Sequence, residues 1–204
     1  MPNTALADQS EEELVRRIQQ GDDAAFDRLV EICSARVYNL AFRLLGNADD
    51  AQDVAQDAFL RVYHALPRFK GNAAFSTWLY RIVVNVCQDE IKRRKRRPML
   101  FSVVDNEEDK PDCSSLATTG DTAEEALLRR ERTAMLQQAI AMLPESFRLV
   151  LVLYDVQGFS YGEIAEILKI NVGTVKSRLN RARNVLREKL SPARELFGVT
   201  GSHI

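Results

Sequence analysis

Apolar residues recur at three- and four-residue steps along almost the whole chain, a spacing that predicts α-helix rather than strand. Ser10-Glu11-Glu12-Glu13 has the form of a capping box and opens a short helix to Gln20, which Gly21-Asp22-Asp23 breaks. A second helix is expected from about Ala24 to Leu45, with Phe26, Leu29, Val30, Val37, Leu40, Ala41 and Leu44 as its apolar face. Gly46-Asn47 ends it, and Asn47 can cap a third helix that runs to about Ala65, with Pro67 just beyond. A loop over Leu66–Asn72 precedes a fourth helix, from near Phe75 into Arg93. Farther on, Thr122-Ala-Glu-Glu125 is a second capping box, opening a helix to about Leu143. Another helix is expected to begin at Pro144, a favoured first-turn residue, and to end before Gly158. No strand-like alternation persists, and β-branched runs such as Ile82-Val83-Val84 lie inside helical patterns. The expected fold class is all-α, and no internal repeat is present.

The strongest local pattern is a helix-turn-helix. Ser160-Tyr-Gly-Glu163 is a third capping box, opening a short helix to Leu168; Lys169-Ile170-Asn171 is a tight turn; a longer helix runs from about Val172 to Leu190. Ile164, Ala165 and Leu168 are expected to face inward from the first helix. Val175, Leu179, Ala182 and Leu186 form a stripe along the second, all within one narrow sector at ~100° per residue. The outward face then carries Ser177, Asn180, Arg181 and Asn184, with Lys176 and Arg187 on one shoulder and Arg178 and Arg183 flanking the stripe. Short polar and basic side chains near the N-terminal half of such a helix suit base edges in a DNA major groove, and outlying cations suit phosphates. Lys176, Ser177, Asn180 and Arg181 are candidates for base edges; Arg178, Arg183, Arg187 and Lys189 are candidates for phosphates.

Charge changes the picture through its distribution. The formal net charge of the 204 residues is only -1, which excludes a uniformly basic coat. Residues 1–98 are nearly neutral, residues 99–126 hold eight acidic residues against one basic, and residues 127–204 hold 12 basic against 7 acidic. The acidic stretch also loses helical periodicity and gains Pro, Gly, Ser and Thr. It therefore reads as a linker over 98–122 between helical domains at 1–97 and 123–204.

Two further clusters stand out in the first domain. Lys92-Arg-Arg-Lys-Arg-Arg97 is six consecutive cations, more than a helix C-terminus needs and well suited to a nucleic-acid backbone. Upstream of it, Phe69, Lys70, Phe75, Trp78, Tyr80, Arg81 and Asn85 mix aromatic and polar groups, a composition that can hold unstacked bases. Phe75 and Tyr80 fit a core better; Phe69, in a loop, is the better contact candidate. Trp78, Arg81, Ile82, Asn85 and Asp89 share one helical face. The third helix is the opposite in charge: Asp49, Asp50, Asp53 and Asp57 fall within about a quarter of its circumference, with Gln52 and Gln56 beside them and Val54, Ala58, Phe59 and Val62 opposite. Composition alone leaves that acidic face open between a solvated helix start and a protein docking surface.

Ala25–Arg97 resembles region 2 of a bacterial RNA polymerase sigma factor of the extracytoplasmic-function class. The resemblance rests on Asp49-Asp-Ala-Gln-Asp-Val-Ala-Gln-Asp-Ala-Phe59 and on Phe69-Lys-Gly-Asn-Ala-Ala-Phe-Ser-Thr-Trp-Leu-Tyr-Arg-Ile-Val-Val-Asn85. Leu143-Pro-Glu-Ser-Phe-Arg148 and Gly158–Leu168 are similar to the start of region 4, and Val172–Arg183 to its recognition helix. The resemblance implies that Asp50, Asp53, Gln56 and Asp57 dock on the β′ clamp helices of core polymerase. It implies that Phe69, Lys70, Trp78 and Asn85 engage the non-template strand of the minus-10 element, where one base is flipped out, while Arg81, Lys92, Arg93 and Arg94 hold the backbone. It further implies that Lys176, Ser177, Arg178, Asn180, Arg181, Arg183 and Arg187 bind the minus-35 element, that the β flap is a partner, that the linker threads toward the RNA exit channel, and that an anti-sigma factor controls the protein.

Other functions fit less well. A homodimeric operator-binding regulator would share the helix-turn-helix, but it predicts tight binding to duplex DNA without polymerase and a two-fold operator. A pure interaction scaffold leaves the recognition helix unexplained. No Gly-rich phosphate loop, nucleophile arrangement or metal-ligand spacing argues for an enzyme, a cofactor or a metal, and His64 and His203 are the only histidines. Cys33, Cys87 and Cys113 lie outside every motif and read as packing or incidental thiols. With an acidic N-terminus lacking an apolar core and no run long enough to span a bilayer, the chain is expected to be cytoplasmic and not membrane-inserted.

Overall fold

The computed structural model describes residues 10–96 and 123–191, eight α-helices with no strand among the described residues. The chain divides into two compact units, the first built mainly from the first four helices and the second from the last four. The expected linker, the Thr122 capping box, Arg97, Cys113 and His203 lie outside the described residues.

In the first unit α1 spans Glu11–Gln19. Ser10 caps it by accepting from the Glu13 amide at 3.3 Å, but the box is only half made, because the Glu13 carboxylate pairs with Arg16 at 2.7 Å instead. Leu14, Val15 and Ile18 are buried. α2 (Asp23–Leu45) starts one residue earlier than expected, since Asp22 accepts from the Ala25 amide at 3.2 Å. Its apolar face is rotated from the expected one. Ala25, Leu29, Cys33, Val37, Leu40, Ala41 and Leu44 are buried, whereas Phe26 and Val30 are half-buried at the margin. Cys33 thus fills the gap in the four-residue ladder from Leu29 to Val37. α3 (Ala48–Ala65) buries Ala51, Val54, Ala55, Ala58 and Val62 and passes into a 3-10 turn at Leu66–Arg68. α4 (Phe75–Arg96) runs three residues beyond its expected end at Arg93. Nothing before Pro98 breaks it, and four basic residues in its last turn oppose the helix dipole.

The second unit comprises α5 (Ala123–Ala141), α6 (Glu145–Leu151), a π-helical turn over Val152–Val156, α7 (Tyr161–Leu168) and α8 (Val172–Leu190). Pro144 is the N-cap of α6 rather than its first helical residue, with ψ of 138°. Leu149, Val150, Leu151, Val152 and Leu153 are all buried, so this segment is enclosed on every side instead of showing a stripe. α8 packs on α6 and α5 through Val175, Leu179 and Ala182, with Leu186 half-buried beyond them. In α7 the buried pair is Ile164 and Ile167; Ala165 and Leu168, expected inward, are half-buried.

Candidate protein and nucleic-acid interfaces

Three of the four acidic-face candidates line one groove of the first unit. Asp53, Gln56 and Asp57 of α3 are exposed and, with Asp89, Glu90 and Arg93 of α4, line a groove of about 380 Å³. Val54 and Val86 contribute to its apolar lining, and Leu60 projects from it 59% exposed. An exposed leucine ringed by carboxylates has the make-up of an apolar anchor with a charged rim. Basic residues already answer part of the charge: Arg61 pairs with Asp89 at 3.4 Å and Arg93 with Glu90 at 2.7 Å. The Glu90 carboxylate raises the Arg93 pKa, with smaller help from Asp53 and Asp57.

Asp50 behaves differently from the other three polymerase-facing candidates. It is half-buried and forms an ion pair with Arg94, which also reaches Glu90 at 3.2 Å. Two residues assigned from sequence to different surfaces therefore meet, and the pair staples the α3 N-terminus to the α4 C-terminus. Lys92 and Arg93 are exposed on the same final turns of α4.

Of the minus-10 candidates, Phe69 and Trp78 belong to an aromatic cluster at the start of α4. Phe69 leaves the 3-10 turn in an extended conformation, and its ring lies 5.0 Å from that of Trp78 and 6.2 Å from that of Phe75. Phe75 and Tyr80 are buried, as a core role requires, while Phe69 and Trp78 are half-buried. Phe69 is thus a packed ring with one exposed side rather than a free loop aromatic. Gly71 has φ +69°, a left-handed turn that carries the loop back into α4, and Lys70 is exposed beside it. Trp78, Arg81 and Asn85 follow one another along one face of α4, the first two half-buried and Asn85 exposed.

In the second unit the helix-turn-helix is built from paired local bonds. The Ser160 amide and hydroxyl donate to the Glu163 carboxylate at 2.8 and 2.6 Å, and Ser160 Oγ accepts from the Glu163 amide at 3.3 Å, a complete capping box. The turn passes through Lys169 with φ 54°, an uncommon conformation for a side-chain-bearing residue. Asn171, read from sequence only as a turn residue, is the N-cap of α8: its Oδ1 accepts from the Thr174 amide at 2.9 Å and from the Thr174 hydroxyl at 2.6 Å. Lys176, Ser177, Asn180 and Arg181 are all exposed on the outward side. Lys176 Nζ lies 5.7 Å over the Tyr161 ring, which stacks on Tyr154 at 4.8 Å.

Arg183, a phosphate candidate from the sequence, is exposed but already has a partner within its own unit. It pairs with Asp155 of the π-helical turn, its Nε donating at 3.1 Å, and its guanidinium sits 5.3 Å over Tyr154. Both partners, Tyr154 and Asp155, lie in the π-helical turn. Arg178 is half-buried, and Arg187 is exposed and donates to Asn184 at 3.3 Å. Sequence reasoning missed Asp155, Tyr154, Tyr161 and Asn171; only the Asn before a helix start carried a readable signal.

No helix of the described residues is long and apolar enough to cross a membrane, and no group of three or more metal-ligating side chains occurs among them. Both described cysteines are buried free thiols, and burial pushes the Cys87 pKa up to about 12.

Residues 29–97 match the family model described as Sigma-70 region 2, and residues 133–186 match Sigma-70, region 4. The chain is 38% identical to the RNA polymerase sigma-H factor of Pseudomonas aeruginosa over 187 residues, covering 92% of this chain and 97% of that protein. It is 39% identical over 176 residues to the ECF RNA polymerase sigma factor SigW of Bacillus subtilis (86% and 94%), and 37% identical over 179 residues to the ECF sigma-E factor of Escherichia coli K12 (88% and 93%). Among solved structures it resembles CnrH in complex with the cytosolic domain of CnrY, with TM-score 0.62, 27% identity and coverage of 88% and 96%. It also resembles the sigma factor RpoE of Bartonella quintana in complex with the anti-sigma factor NepR, with TM-score 0.62, 25% identity and coverage of 81% and 96%.

Proposed function

The chain belongs to the extracytoplasmic-function RNA polymerase sigma factors, non-enzymatic factors of transcription initiation, and on that premise we propose how its surfaces divide the work. A factor of this family binds core RNA polymerase and directs initiation at promoters. The proposed domain limits are residues 1–97 for polymerase and minus-10 binding, 98–122 for an acidic linker and 123–204 for minus-35 binding. Asp53, Gln56 and Asp57 dock on the β′ clamp helices, with Leu60 as an apolar anchor, while Asp50 supports that face through Arg94. Phe69, Lys70, Trp78, Arg81 and Asn85 take the non-template minus-10 strand, and Lys92 and Arg93 hold its backbone. Lys176, Ser177, Asn180 and Arg181 read minus-35 base edges; Arg178 and Arg187 hold phosphates. Arg183 braces α8 against the π turn. The protein works in the cytoplasm, carries out no chemistry of its own, and is held inactive by an anti-sigma factor that covers the polymerase-binding face, a partner type seen with the RpoE relative.

The single observation that carries this reading is the separation of opposite charge. An acidic groove with an exposed leucine lies on one unit, and a capped basic helix with a polar outward face lies on the other. Each site alone is small, and joining both to polymerase makes recognition bivalent. A homodimeric regulator would instead bind duplex DNA tightly by itself. The expected result is weak, poorly selective duplex binding by the chain alone and selective promoter binding once core polymerase is added; tight two-fold operator binding without polymerase would overturn the proposal.

A further inference from the structure

α1 lies upstream of the matched region 2 segment, which begins at residue 29, yet it forms a wall of the minus-10 site. A pocket of about 450 Å³ opens between α1 and the loop after the 3-10 turn, lined on one side by Val15, Arg16 and Gln19 and on the other by Phe69, Lys70 and Phe75. This volume is within the range of small-molecule sites and admits a nucleobase. The two sides are tied by one side chain. The Gln19 carboxamide nitrogen donates to the Phe69 carbonyl at 2.7 Å and to the Leu66 carbonyl at 3.3 Å, so it grips both ends of the 3-10 turn. The Phe69 amide closes the same turn onto the Leu66 carbonyl at 3.0 Å.

The support behind Gln19 is rigid. Leu14, Val15 and Ile18 anchor α1 in the core, Ser10 caps it, Glu11 pairs with Arg36 of α2, and Arg17 pairs with Asp22 at 2.6 Å. Beyond Phe69, whose ring packs on Trp78 and Phe75, the loop opens at Gly71, which is left-handed and where an added side chain would meet nothing within 4 Å.

We propose that Gln19 is a positioning residue for minus-10 reading, its carboxamide bracketing the Leu66–Phe69 turn so that Phe69 and Lys70 present a fixed wall to an extruded base. This rests on the minus-10 assignment made above. Gln19 is itself exposed, so its replacement leaves the core packing untouched. Gln19→Met keeps length and removes both donors.

The test uses the full chain with core polymerase and a heteroduplex library whose six minus-10 non-template positions are randomised. Bound templates are sequenced, and the thermal midpoint of each variant is measured alongside. The wild type is expected to enrich one base at the pocket position. Gln19→Met is expected to lower that enrichment about fivefold with the other positions little changed, and to lower the thermal midpoint by no more than roughly 4–8 °C, the scale of one lost intramolecular hydrogen bond. Enrichment unchanged in Gln19→Met, while Phe69→Ala loses it, overturns the bracket and leaves the minus-10 assignment standing. An equal fall at all six positions also overturns the bracket, because it marks a general loss of binding. No enrichment by the wild type at any position overturns the minus-10 assignment and the bracket with it.

Discussion

Reversing the charge of Asp53 and Asp57 separates docking from folding more cleanly than any other change in the first unit. Both carboxylates are exposed on α3, one helical turn apart, and both border the groove that holds Leu60. Asp50 is unsuitable for the purpose, because its ion pair with Arg94 links two helices and its loss would disturb the fold. For Asp53→Lys with Asp57→Lys, the folded-state cost is small. Exposed substitutions of this kind change stability by roughly 0.5 kcal/mol each, and the new repulsion against Arg93 adds a few tenths. A loss of about 1 kcal/mol corresponds to a thermal shift of roughly 4–8 °C in a domain near 100 residues. The binding cost is larger. Each reversal turns an attraction across the interface into a repulsion worth about 2 kcal/mol. The two sites are neighbours and will not add fully. A combined loss near 3 kcal/mol still weakens binding roughly 100-fold. Fluorescence anisotropy of a labelled chain titrated with core polymerase measures this directly, with circular dichroism as the folding control. Affinity within a factor of three of the wild type, in a folded double variant, would refute the assignment of this face.

Four other outcomes are expected. Arg181→Ala should cost about 1–3 kcal/mol of discrimination at the minus-35 element while leaving core affinity unchanged, read by competition between native and scrambled minus-35 templates. For holoenzyme binding against salt, Arg178→Gln should reduce the log–log slope by about 0.9. Arg183→Gln should leave that slope intact and cost only about 0.2–1 kcal/mol of stability, the scale of a solvent-screened pair whose side chains are 46% and 34% exposed; equal slope losses would return Arg183 to the phosphate contacts. Cys87 has its pKa raised by burial from 9.0 to about 12. The unfolded chain therefore ionises this thiol first, and stability should fall with rising pH between 9 and about 12, by about 1.4 kcal/mol per unit from this group. Cys87→Ala should flatten that part of the denaturation profile, and an unchanged slope would show that the thiol is not protected.

Helix count, order and approximate limits could be read from the chain because they follow from three-residue and four-residue spacing and from caps, which act over a single turn. The outward face of α8 was readable for the same reason: once Val175, Leu179 and Ala182 are inside, Lys176, Ser177, Asn180 and Arg181 must be outside. What could not be read depended on partners distant in sequence. The Asp50–Arg94 and Arg183–Asp155 pairs join different helices, and a basic residue's spacing does not reveal which acid it will meet. The π turn likewise overlaps the end of an unbroken apolar run, Leu149–Leu153, in which period carries no information because every side is buried. In α2 the expected face is off by part of a turn: Phe26 and Val30, expected in the core, lie at its margin, while Cys33, which the sequence leaves between packing and incidental, is buried. The Gln19 bracket had no local signal at all, as its acceptors are 47 and 50 residues away.

The most direct measurement is transcription by core polymerase with and without this chain on a library of genomic fragments, with every start site mapped. The account predicts that the chain creates a new set of starts, each preceded by the same two short elements at a fixed spacing, and that Arg181→Ala blurs only the upstream element. Starts that match those of core polymerase alone, or that share no upstream pair of elements, would contradict it.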